Sequence, residues 1–163
     1  MLFVAFFMLS TGNLVFAQEK IKLSVGMGVP ELLNIGVRIP IKQTQIGFDF
    51  GSWLQKNEYF LSFSSDFYMH FGGVSKFSDR RPWYSRSGLT YLRSETSTYI
   101  EKSVYFNFRI GREINFSKKI GIELNAGAMF MLFFDHIGKT DSVFIYERSW
   151  ILPSFGLAVF YRL

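Results

Sequence analysis

The chain has 163 residues and a net charge of +5, contains no cysteine, and is 19% aromatic, with 20 Phe. That length fits one domain, and the absence of thiols excludes disulfides, cysteine nucleophiles and cysteine metal sites. Hydrophobic residues reach 48%, but no apolar run approaches the ~18 residues of a membrane helix, and the basic residues are too dispersed for a nucleic-acid partner to be expected.

The first segment, MLFVAFFMLSTGNLVFAQEK, holds an apolar block from Leu2 to Leu9, a polar break, and then Val15-Phe16-Ala17. Val15 and Ala17 satisfy the small-residue rule at positions −3 and −1, so residues 1–17 are expected to be a cleaved signal peptide, with Gln18 as the new N-terminus. No Lys or Arg precedes the block. Residues 18–163 are then the exported domain.

From there the pattern is strict alternation. KIKLSVGMGV sets Ile21, Leu23, Val25, Met27 and Val29 against Lys22, Ser24, Gly26 and Gly28. LLNIGVRIPI opposes Leu33, Ile35, Val37, Ile39 and Ile41 to Asn34, Gly36 and Arg38, and QIGFDFG opposes Ile46, Phe48 and Phe50 to Gly47, Asp49 and Gly51. YFLSFSSDFYMHF and the less regular WYSRSGLTYL follow, with Asp66, Tyr68, His70, Tyr84 and Arg86 on their polar faces. IEKSVYFNFRI puts Ile100, Val104, Phe106, Phe108 and Ile110 against Glu101, Ser103, Tyr105, Asn107 and Arg109. IGIELNAGAMFMLFF places Ile120 to Phe134 on one face by even numbers, against Gly121, Glu123, Asn125 and Gly127. SFGLAVFYRL is the eighth segment, with Phe155, Leu157, Val159, Tyr161 and Leu163 on one side. A period of two in eight segments predicts an all-β chain.

Two features favour lipid over a protein core against the apolar face. The segments are about 10 residues long, the length of a tilted membrane strand, where soluble strands run to about 5–6. Aromatic residues mark the segment ends at Trp53, Trp83, Tyr99, Trp150 and Tyr161, the positions of interface girdles. In lipid every backbone polar group must be paired, so eight antiparallel strands would close into an up-and-down transmembrane β-barrel whose interior is filled by side chains.

The last strand carries a resemblance. Ser154, Gly156, Val159 and Tyr161 match the polar, glycine, hydrophobic, hydrophobic spacing of the C-terminal assembly signal of outer-membrane barrels, although Leu163 rather than Phe comes last. RIGREINFSKKIGIELNAG and WYSRSGLTYLR also resemble the hairpin strands of small eight-stranded bacterial outer-membrane barrels of the OmpA/OmpX type. The resemblance implies a monomer in the Gram-negative outer membrane, surrounded by outer-membrane lipid and lipopolysaccharide and inserted by the barrel-assembly machinery. It implies no cofactor and little about activity, since most such proteins have none known.

That topology expects periplasmic turns near Lys42, at 72–82 and near Ser117, and surface loops near Glu31, at 53–57, at 93–98 and at 135–148. The lumen is expected to hold Arg38, Asp49, Asp66, Arg86, Glu101, Arg109, Glu123 and Arg162, as mutually paired charges rather than an ion path. The expected role is a structural or adhesion-type envelope component without enzymatic activity. Two other readings stand beside it. Outer-membrane lipid A-modifying enzymes use His with Ser or acidic partners, and Asp135-His136 falls at the outer rim, whereas His70 lies at the other end. A secreted soluble barrel holding an apolar ligand is the third. Two distant histidines give no metal-ligand spacing.

Overall fold

A computed structural model describes residues 21–55, 58–138 and 149–163. Eight strands follow in order: β1 Lys22–Val29, β2 Leu32–Ile41, β3 Thr44–Gln55, β4 Glu58–Gly72, β5 Trp83–Thr96, β6 Tyr99–Asn115, β7 Ile120–Gly138 and β8 Ile151–Arg162. Each pairs antiparallel with its sequence neighbours, and β1 pairs with β8, giving a closed up-and-down barrel. The seam runs without interruption from Lys22↔Arg162 to Val29↔Phe155. The segment at 1–17 lies outside the described residues.

Closure follows from the alternation, because a strand with one polar and one apolar face has a fixed register. Here the polar face points inward. Lys22, Arg38, Asp49, Asp66, Arg86, Arg109, Glu123 and Arg162 are buried, while Val25, Ile35, Phe50, Phe63, Phe108 and Val159 are exposed on the outer wall. Glycines on the inner face make room for the large polar groups. A methyl group at Gly111 would run into the Tyr84 ring, and one at Gly36 would fall on the Arg38–Asp49 pair.

One end of the barrel, called lower here, carries the β2–β3 turn, residues 73–82 and the β6–β7 turn; the upper end carries the other connections. The wall is uneven in height, for β1 has 8 residues and β7 has 19. Above Phe130↔Ile151, β7 continues beside β6 as far as Tyr99↔Gly138. Pro153 sits on β8 beyond the last β1 partner, Val29↔Phe155, where its missing N–H takes nothing from the seam.

Three expectations about faces and connections need correction. Phe134 was expected on the outer face with Leu132, but the pairing steps from Val104↔Phe133 to Tyr105↔Met131, leaving Leu132 as a bulge. The extra residue reverses the phase above it, so Phe134 falls opposite Ser103 on the inner side. Tyr99 shares the inner-face parity of Glu101 and Ser103, and its ring lies 5.3 Å from that of His136, so it is not a girdle residue on the outer wall. The turn at Glu31 is not an outward loop: Leu32 has φ 63°, in the left-handed region uncommon for a residue with a side chain, and Glu31 turns into the barrel, where it is buried.

Candidate functional site

Among the described residues, many functional groups converge in the lumen, which is organised as two linked clusters. Near the lower end, Lys22 from β1 donates to Glu113 Oε1 at 2.5 Å and to Glu123 Oε2 at 3.0 Å. Arg162 from β8 donates to the other oxygen of Glu113 at 2.8 Å and to Asn115 at 2.7 Å. The Phe160 ring lies 4.6 Å from both the Lys22 ammonium and the Arg162 guanidinium, so both cations contact one aromatic ring.

Glu123 joins this group to the second, accepting from Arg38 at 3.4 Å. Arg38 in turn donates to Asp49 at 2.8 Å. Arg86 donates to three carboxylates, Asp66 at 2.6 Å, Glu31 at 2.8 Å and Asp49 at 3.1 Å. Arg109 donates to Glu31 at 2.5 Å, to Asn125 at 3.0 Å and to the Val29 carbonyl at 3.1 Å. The Tyr68 ring lies 5.0 Å from Arg38 and 5.4 Å from Arg86. Burial alone would raise the Glu31 carboxyl, but the positive charges of Arg86 and Arg109 outweigh it and hold its pKa below the usual carboxylate value.

Toward the upper end the lumen becomes neutral and hydrogen-bonded. Ser64 and Thr90 hydroxyls meet at 2.7 Å, Asn107 donates to Thr90 at 2.7 Å, and Ser154 donates to the Val29 carbonyl at 2.9 Å. The void left among Glu31, Arg38, Asp49, Arg86, Arg109 and Glu123 is about 20 Å³, room for about one water molecule. Chemically the interior is a cross-linked salt lattice. It ties β1 to β6 and β7, and the β1–β2 turn to β5 and β6.

The long segment 73–82 folds over the lower mouth. His70 shares a 2.6 Å hydrogen bond through Nδ1 with the Arg81 carbonyl. Gln43 donates to the Asp79 carbonyl at 3.0 Å and accepts from the Arg81 N–H at 3.1 Å. Asn115 donates to Ser75 at 3.0 Å, and Glu113 N–H donates to the Pro82 carbonyl at 2.8 Å. Arg80 is buried beneath this cap, on the side of Glu113.

The lumen residues read from the sequence divide unequally. Arg38, Asp49, Asp66, Arg86, Arg109, Glu123 and Arg162 belong to the lattice. Glu101 does not: it lies near the upper rim, part-exposed, 3.4 Å from His136 Nδ1. Lys22, Glu31 and Glu113 were missed, and each bridges two or more partners.

Of the C-terminal residues, Ser154 faces inward and is buried, Gly156 faces inward, and Val159 and Tyr161 face outward. Trp83 and Tyr161 are exposed at the lower end, with Arg112 5.4 Å from the first ring and Lys119 5.7 Å from the second. Trp150 is exposed at the upper end. Trp53 has the inner-face parity of Asp49 and Gly51, yet at the upper rim it is 49% exposed and borders the outer wall.

At the rim, Glu101 lies between Ser94 and His136 in the strand register. An acid in the middle orients the imidazole but does not give the order of a serine, histidine and acid relay. No serine hydroxyl is hydrogen-bonded to His136 among the described residues.

No known protein family matches this chain, and no characterised protein matches it significantly in sequence.

Proposed function

We propose that the chain is a membrane-spanning barrel of the Gram-negative outer envelope, with a filled lumen and a structural or surface-interaction role. One observation carries the reading: the barrel is inverted relative to a soluble one. Its outer wall is a continuous band of Ile, Leu, Val, Met and Phe, while its buried interior holds mainly charged and polar groups. In water such a band far exceeds the few hundred Å² of contiguous apolar surface that soluble monomers expose. In hydrocarbon it is the expected lipid-facing surface. The same observation weighs against a secreted barrel with an apolar ligand, whose interior would have to be greasy.

In this reading the lower end faces the periplasm, as the resemblance of the last strand implies. Fractionation tests the proposal: the protein should sediment with outer membranes, resist alkaline carbonate extraction and migrate on gels in a heat-modifiable way. Recovery from a soluble fraction would overturn it.

The Glu101–His136 contact supports a second reading, in which the upper rim acts on lipid A. Its test is lipid A modification that disappears in H136A.

A further inference from the structure

The outer wall is not smooth. A groove of about 840 Å³ crosses β6, β7, β8 and β1 over the paired row Gly111, Asn125, Gly156 and Gly28. Three of these are glycines and Asn125 turns inward, so from outside the floor is bare backbone. Arg112, Leu124 and Leu157 form one bank, and Ile110, Ala126 and Phe155 the other. Trp83 closes the lower end and Trp53 the upper, so the trough runs from one end of the barrel towards the other.

Among the described residues, Arg112 is the single charged side chain lining this groove. It is exposed, lies three residues before the end of β6, and rests 5.4 Å from the Trp83 ring. No carboxylate lies within ion-pair distance of it among the described residues. Lys118 and Lys119, exposed in the turn after β6, add positive charge at the same end. A cation beside an interfacial tryptophan, at the mouth of a long apolar trough, is complementary to the anionic headgroup and hydrocarbon chain of a phospholipid. A free phosphate would leave the trough empty, a lipid without a phosphate would leave Arg112 without a counterion, and a zwitterionic one would bring its own cation beside Arg112, Lys118 and Lys119.

We propose that this groove holds one anionic phospholipid from the leaflet at the lower end, with its phosphate on Arg112 and an acyl chain between the Leu124 and Ala126 banks. The site rests on the membrane reading above. The test uses the full chain inserted in mixed phosphatidylglycerol and phosphatidylcholine vesicles, then released for native mass spectrometry. One phosphatidylglycerol should be retained in preference to phosphatidylcholine. R112Q should weaken that preference about fivefold, the share one cation contributes near an anionic surface. R112K should keep most of it, and A126F, which fills the trough, should reduce retention of both lipids. Heat-modifiable migration of each variant reports that the barrel is intact. Insertion without preference, or a preference unaffected by R112Q, overturns the site alone. Displacement by purified lipopolysaccharide at equal concentration overturns the choice of lipid. Failure of the parent chain to insert overturns the membrane reading and the site together.

Discussion

Glu31, in the turn after β1, and Arg109, on β6, meet inside the barrel at 2.5 Å. The side chain of Arg109 is wholly buried, so its charge is compensated by this contact and by Asn125 and Val29. Replacing Arg109 with Ala leaves Glu31 leaning on Arg86 alone. The expected loss is about 3 kcal/mol, the lower end of the cost of breaking a buried pair. The double variant R109A/E31A should recover part of it, because the orphaned carboxylate is gone as well. Urea unfolding in lipid vesicles measures both, and additive losses would contradict the pairing.

Glu31 also makes stability depend on pH. Its folded pKa lies below the 4.5 of a free glutamate. A depressed carboxyl contributes stability that is complete above the unfolded value and is lost as pH falls through the folded one. The gap in unfolding free energy between the parent and E31Q should therefore be constant from neutral pH to about 5, then narrow in more acid solution. A gap that widens on acidification would contradict the assignment.

Val159 is exposed on the outer wall, three residues before the end of β8. V159R should cost up to about 2–4 kcal/mol in a bilayer, and less the nearer the site lies to the interface. The same change on a wall facing water would cost almost nothing, so refolding titrations into vesicles separate the two.

The lumen should not conduct. Planar-bilayer recordings are expected to show no steady open state, and replacing 73–82 with a Gly-Ser linker should not create one. The Lys22, Glu113, Glu123 and Arg38 contacts that block the lower half are made by strands rather than by that segment. A stable conductance of porin size in either protein would contradict the salt-lattice account.

The faces of the strands were legible because a period of two leaves a charged residue only one place to point. Arg38, Asp49, Asp66, Arg86, Arg109, Glu123 and Arg162 were found that way. Glu31 and Arg80 were not, because a turn and an irregular segment have no period to read. Glu113 was missed because the sixth segment was expected to stop near Ile110, whereas β6 runs to Asn115. Leu132 was invisible for a different reason. In AMFMLFF no polar residue marks the phase, so an inserted residue leaves no trace, and Phe134 was placed on the wrong side. The Glu101–His136 contact depends on that same phase change.

Lys22 has a consequence for how the molecule is assembled. It stands at the start of the first strand, and its two carboxylates come from the sixth and seventh. Within the described chain, the Lys22 charge has to wait for distant segments to arrive. For a barrel that enters a membrane, a half-built sheet inserting one hairpin at a time would hold this ammonium at the lower edge of the hydrocarbon without its counterions, and a buried charge left unpaired is costly. In such a barrel ring closure would be coupled to insertion, and the intermediate to look for is an almost complete sheet curled at the membrane surface, its salt lattice still wet.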